Sequence, residues 1–280
     1  MAGKGITQNL LQEEILRQKD MRELFSFYDA LLTARAQILQ SLPSVVPAVG
    51  TDEFAKVLSE GRYAASVAGP RIDSGAFVAA FQKIAGVVAK KAPHLAKAVE
   101  LYKKQLDLSA LPGSGATAKN PEDPEGRLFQ QLYTNALQPF FEKFARELAP
   151  IVEGAEWHEA YCPVCGNRPA MARLVEGSGR DLYCTFCGAR RHYPRLACPH
   201  CENKDHEQLG YLEISGEPQH RIDVCEDCKG YVKVVVQNGD SEVRGEGEGF
   251  NPFVADVLTL HLDALAQKQG YSPKPEHSTH

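Results

Sequence analysis

The sequence predicts an α+β fold: an N-terminal all-α helical domain over residues 1–154, two small β units built on cysteine turns, and a C-terminal helix over 250–270. Three observations carry this. Apolar residues recur at spacings of three, four and seven through the first half of the chain. That period gives way after Trp157 to turn residues and short β-branched runs. All eight cysteines fall in that second stretch, in four Cys-x-x-Cys pairs: Cys162/Cys165, Cys184/Cys187, Cys198/Cys201 and Cys225/Cys228.

The helical elements follow in order. Leu24, Phe27, Tyr28, Leu31, Ala34 and Ile38 form the first stripe. Thr51-Asp-Glu-Phe opens a second helix, with Thr51 expected as its N-cap and Gly61 as its stop. Phe77, Phe81, Ile84 and Val88 make a third, and Leu95, Val99, Tyr102 and Leu106 a fourth, with Pro93 breaking the chain between them. Ala110 to Gly126 carries Pro, Gly, Ser and acid without period, so a loop is expected there. A long helix follows, with Leu128, Leu132, Phe140, Phe144 and Leu148 on one side and a kink expected at Pro139.

The β elements are less regular. Tyr211-Leu-Glu-Ile, Arg221-Ile-Asp-Val and Tyr231-Val-Lys-Val-Val-Val read as strands, the last alternating inward and outward. Asn238 to Gly249 is Gly-rich and acidic, the composition of a linker. Phe253 to Gln269 returns to helical period, with Val254, Leu258, Leu262 and Leu265 apolar, and a polar tail closes the chain. Trp157, the only tryptophan, is expected to pack at the domain junction.

The cysteines set the chemistry. A tetrahedral thiolate site takes four sulfurs, so eight make two closed sites. The intervals are 18 residues from Cys165 to Cys184 and 23 from Cys201 to Cys225. Adjacent pairing therefore puts Cys162, Cys165, Cys184 and Cys187 on one ion and Cys198, Cys201, Cys225 and Cys228 on the other; a cross-braced pairing is the alternative. Two residues between cysteines let both sulfurs point into one tight turn, and a glycine after the second eases the positive φ of that turn. The first unit has this twice, in Cys162-Pro-Val-Cys-Gly166 and Cys184-Thr-Phe-Cys-Gly188. This doubled turn is the rubredoxin and zinc-ribbon signature, so 155–195 and 196–237 are expected as two rubredoxin/zinc-ribbon-like β units. The second unit departs, with Glu202 and Lys229 at the glycine positions and Gly230 one place late. His200 and His192 are spare, because four thiolates already fill each site. Geometry alone admits zinc or a mononuclear iron.

Charge narrows the function classes. The formal net charge is −5, and eight thiolates with two divalent ions bring it to about −9. From Glu156 to Val235 there are ten Lys/Arg against twelve Asp/Glu, so a nucleic-acid-binding ribbon, which should be basic, is disfavoured. Arg190, Arg191, His192 and Arg195 form one basic cluster between the second and third cysteine pairs. It reads either as a binding surface for an acidic partner or as charge that offsets the metal sites and donates to carbonyls. There is no Gly-rich phosphate loop, GxSxG or HExxH, so no catalytic set and no enzyme activity are expected. The start of the chain does not read as a secretory signal, and no stretch approaches the roughly 20 apolar residues of a membrane helix. A cytoplasmic protein with no membrane partner is expected, where paired cysteines bind metal instead of forming disulfides.

The segments Tyr161 with CPVCGNRPAMARL, Gly179 with RDLYCTFCG, Arg195 with LACPHC, and Arg221 with IDVCEDCKGYVK resemble the formate dehydrogenase accessory protein family, the FdhE type. The ending DVLTLHLDALAQKQGY is similar to that family's. The resemblance implies a cytoplasmic assembly factor that binds the molybdenum-containing catalytic subunit of a respiratory formate dehydrogenase before export and supports its activation. It also implies rubredoxin-type iron at the eight cysteines, with zinc the alternative. A rubredoxin-like electron-transfer protein is the rival reading.

Overall fold

A computed structural model describes residues 21–105, 124–175, 179–237 and 250–273. Five helices form the N-terminal body: α1 (Arg22–Ser41), α2 (Thr51–Ser59), α3 (Ser74–Lys91), α4 (Ala96–Gln105) and α5 (Pro124–Glu153). Their cores are the stripes of the sequence, with small shifts. Phe77, Phe81, Ile84 and Val88 all face inward on α3, and Asp73 caps that helix by accepting from the Ala76 N–H at 2.8 Å. On α1 the buried face is rotated: Phe25 and Leu39 join Leu31, Ala34 and Ile38, while Leu24 is exposed. Thr51 is the first residue of α2 and makes no side-chain cap; Gly50 precedes it, and Gly61 at φ 72° ends the turn after the helix.

Helix α5 starts at Pro124, so the last three residues of the expected loop are helical; the rest of that loop, and Leu106, lie outside the described residues. Proline suits a helix's first turn, where no N–H is needed. The helix runs without a break through Pro139, which leaves the Asn135 carbonyl without its i+4 donor. The expected linker 238–249 and most of the polar tail also lie outside the described residues.

The two β units join edge to edge in one six-stranded sheet. Strands β1 (Met171–Val175), β2 (Gly179–Tyr183) and β3 (Arg190–Tyr193) make an antiparallel meander. Strands β4 (Leu209–Glu213), β5 (His220–Cys225) and β6 (Tyr231–Gln237) make another. A parallel pairing of β1 with β6, Met171 opposite Lys233, joins them in the order β3-β2-β1-β6-β5-β4. Strand β6 alternates as expected, but both its faces are buried. Val232 and Val234 pack with Ala172, Leu174 and Leu182, while Tyr231 packs with Leu262 and Ala266 of the C-terminal helices.

The C-terminal segment is two helices, α6 (Pro252–Leu258) and α7 (Leu260–Lys268), instead of one. Asn251 caps α6 by accepting from the Phe253 and Val254 N–H groups. The break falls at Thr259, whose hydroxyl donates to the Ala255 carbonyl at 2.7 Å. Such a bond competes with regular helix bonding. α7 lies on β5 and β6, and Lys233, 1% exposed, joins them: its Nζ is 2.7 Å from both Asp256 Oδ1 and Asp263 Oδ2.

Candidate metal centres

Both β units present their cysteines in the same way: one turn precedes the first strand, and the second turn links the second strand to the third. The adjacent pairs come together. Cys162, Cys165, Cys184 and Cys187 form one cluster and Cys198, Cys201, Cys225 and Cys228 the other, with the four sulfurs of each within 4.8 Å of one another. No cysteine is in a disulfide. In the first cluster Cys162 and Cys187 are 3.5 Å apart, as are Cys165 and Cys184; in the second the matching distances are 3.7 and 3.8 Å. A tetrahedron of sulfurs at about 2.3 Å from an ion has edges of about 3.8 Å. The donor set and its spacing therefore fit a tetrathiolate ion at each cluster.

All four turns share one conformation. The residue after the second cysteine has φ 76° at Gly166, 75° at Gly188, 63° at Glu202 and 55° at Lys229. In three of them its N–H donates back to the first cysteine's carbonyl at 2.8–3.0 Å. The second unit thus adopts the same turn without glycine. The packing explains why the first unit needs glycine. A Cβ on Gly166 would lie 2.9 Å from the Tyr63 ring, and one on Gly188 would lie 3.3 Å from Phe253. Glu202 and Lys229 are free of that constraint, Lys229 being exposed. Gly230 serves a different contact, since a Cβ there would meet His200 at 2.8 Å.

The two clusters sit in different surroundings. The first belongs to the helical core, where Cys162, Cys184 and Cys187 pack with Phe54, Phe144 and Trp157. The helical body also donates to both of its turns: Ala64 N to the Pro163 carbonyl at 2.8 Å, Ala65 N to Val164 at 2.9 Å, and Gln138 Nε2 to Thr185 at 3.1 Å. Trp157 is buried at the junction, with Nε1 donating to the Tyr161 carbonyl at 2.8 Å. The second cluster forms its own small core and is clasped by the chain end, where Ser272 N donates to the Lys229 carbonyl at 2.8 Å.

Neither spare histidine joins a cluster. His200 is buried, its Nε2 2.8 Å from the Tyr231 carbonyl, and burial lowers its pKa to about 4, so the ring is neutral. Its backbone N–H donates to Cys198 Sγ at 3.4 Å, and the Gly230 N–H donates to Cys228 Sγ at 3.3 Å. Burial pushes the Cys201 thiol up to about 12. The neighbouring Cys228 sulfur, with burial, raises that of Cys198 as well. A bound cation would reverse this and displace the protons.

The arginine cluster divides along β3. Arg190 and His192 are exposed on one face, where Arg190 lies 3.8 Å and His192 3.5 Å from Asp181. Arg191 points the other way: it is buried, with its guanidinium 4.6 Å from the Tyr193 ring centroid, and no docked partner reaches it directly. Arg195 is exposed beside Leu196, which is 69% exposed, and near them Arg221 stacks on the exposed Tyr211. Two arginines that the sequence did not single out also donate to carbonyls near the clusters. Arg180 donates to the Pro194 and Ala197 carbonyls and pairs with Asp223 at 3.2 Å, while Arg168 donates to the His200 carbonyl at 2.6 Å. Their positions inside and just before strands gave no signal of these contacts.

A family model described as the FdhE C-terminal domain matches residues 196–277, the second β unit and the helices behind it. An FdhE homologue of Aquifex aeolicus is 25% identical over 92% of this chain and 89% of its own length. The chain is thus similar to the FdhE family, over residues 196–277 by the family model and over nearly its whole length by this relative. An FdhE homologue of Stutzerimonas stutzeri is 36% identical over 120 residues, 41% of this chain and 36% of that protein. FdhE of Escherichia coli K12 is 29% identical over 45% of this chain and 41% of its own length. The matched stretch thus spans well under half of these last two relatives. The crystal structure of FdhE from Pseudomonas aeruginosa shares the fold, with a TM-score of 0.65 over 95% of this chain and 91% of that one, at 19% identity.

Proposed function

We propose that this FdhE-like chain is a cytoplasmic assembly factor that binds the catalytic subunit of a respiratory formate dehydrogenase before export, and is not itself an enzyme. The observation that carries the reading is the pair of closed four-cysteine clusters. Four protein ligands leave no open position for a substrate. The clusters instead hold surfaces in place: the first ties the β sheet to the helical body, and the second shapes the face that carries Arg195, Leu196 and Tyr211. That face joins exposed apolar side chains to cations, and Arg190 and His192 extend the basic surface along β3. It suits an acidic, partly apolar client segment. Arg191 supports it from behind. Each cluster holds one ion, with iron favoured by the family likeness and zinc the alternative.

The test is recovery of the client. Tagged protein drawn from its native host is expected to bring down the formate dehydrogenase catalytic subunit, and Arg195→Glu with Leu196→Asp to lose it. Recovery of every other abundant oxidoreductase but never that subunit would sink the proposal. One observation favours electron transfer as a second reading: Cys165 and Cys201 are only partly buried, so one sulfur of each cluster approaches solvent. That reading requires iron and a reversible visible absorption change.

A further inference from the structure

A cleft of about 640 Å³ opens between α1, α3, α5 and α6. Its walls are mostly apolar, among them Leu31, Ile84, Val88, Leu132 and Val257. Thr185, from the second turn of the first cysteine cluster, borders it. Its volume falls in the range of small-molecule sites, roughly 300–1,000 Å³; His94, Gln138 and the acidic Asp256 also line it.

The polar group that matters is Arg35. It is only 6% exposed, yet among the described residues its Nε and Nη2 have no hydrogen-bond partner. The guanidinium lies 4.4 Å from the Phe253 ring centroid, and both residues line the cleft. The acids nearest in charge, Glu142 and Asp256, are committed elsewhere: Glu142 to Arg146 at 2.6 Å and Asp256 to Lys233 at 2.7 Å. A buried cation with two idle donors in an apolar cleft is unfavourable for the free protein. The planar fork of a guanidinium matches a carboxylate bidentately.

We propose that this cleft binds a small carboxylate with an apolar body, the carboxylate on Arg35 and the body along Leu31, Ile84, Val88 and Leu132. Gln131 and Asn135, which also line the cleft, add neutral polar contacts. The ligand's acid completes the donors that the fold leaves idle. Its tail fills space that the helices do not.

The test uses the metal-loaded full chain with decanoate and decanol as probes, by calorimetry. Decanoate is expected to bind at least about tenfold more tightly than decanol, the value of one charge-assisted hydrogen bond pair. Arg35→Met is expected to abolish that preference while raising the unfolding midpoint of the ligand-free protein. A merely structural arginine would lower the midpoint instead. Val88→Trp, which fills the cleft and keeps Arg35, is expected to weaken both probes. Equal affinity of wild-type protein for the two probes, or undiminished decanoate binding in Val88→Trp, would overturn the proposal. If Arg35→Met fails to fold, the Val88→Trp result and the probe comparison decide it.

Discussion

Exchanging the residue after the second cysteine of a turn should move the two cysteine clusters in opposite directions. In Gly166→Ala a side chain enters a backbone at φ 76°. The left-handed conformation costs about 1–2 kcal/mol for a residue with a Cβ. The new Cβ also lies 2.9–3.0 Å from three Tyr63 ring atoms. Tyr63 cannot yield freely, because it packs edge-on against Tyr161 and precedes the residues that donate to the same turn. Overpacking of this kind adds about 1–3 kcal/mol. The total is about 3 kcal/mol, or about a hundredfold in metal affinity at the first cluster. Lys229→Gly is the counterpart. It relieves a residue at φ 55° and loses only an exposed pairing with Glu226 and a contact with Tyr271, for a net gain of about 0.5–1 kcal/mol. The assay is zinc competition with a chromophoric chelator, paired with denaturant unfolding of the loaded protein. Loss in Gly166→Ala with gain in Lys229→Gly is expected. Equal effects of one sign, or Gly166→Ala indistinguishable from wild type, would refute the reasoning.

Cys162→Ser should release one metal ion and loosen the helical body with it, because that cluster lies in the helical core; metal titration with circular dichroism at 222 nm checks both. Structural zinc can contribute on the order of 10 kcal/mol of folding energy. Cys198→Ser should also release one ion but leave the helical signal nearly intact. Lys233→Ala should lower stability by about 3–5 kcal/mol, since it leaves Asp256 and Asp263 without their buried cation, and Lys233→Met should do the same, as measured by urea unfolding. Glu217 sets an acid-side dependence. Its burial raises the carboxyl pKa, but hydrogen bonds from His220 and His261 outweigh this and hold it below the usual range. The contribution is present above the unfolded value near 4.5 and fades as pH falls through the lower folded value. Solvent screening keeps it under about 1 kcal/mol. Stability of Glu217→Gln should therefore fall less than that of wild type as pH falls below 5.

Much of this was legible because it is local. The helical stripes mark their own cores, since burial at spacings of three and four needs no knowledge of partners. The cysteine pairs mark their own turns, and adjacent grouping follows from short intervals. What escaped was set by tertiary contact. The parallel joint of β1 with β6 leaves no trace in either strand, because parallel pairing depends on which edges meet. Lys233 reads as an outward residue of an alternating strand until α7 covers it with Asp263. The glycine difference between the units was visible, but its reason was not: Gly166 answers to Tyr63, more than a hundred positions earlier. The arginine run looked like one patch because sequence proximity hides the alternation of a strand, which sends Arg191 inward and its neighbours out.

Both clusters are expected to carry an ion in the folded protein. Elemental analysis of protein purified without oxygen, combined with native mass spectrometry, counts the ions directly. Two ions per chain in the wild type, and one in Cys162→Ser or Cys198→Ser, is the expected result. A fully folded wild-type chain with no bound metal, or with disulfides between the pairs, would contradict it.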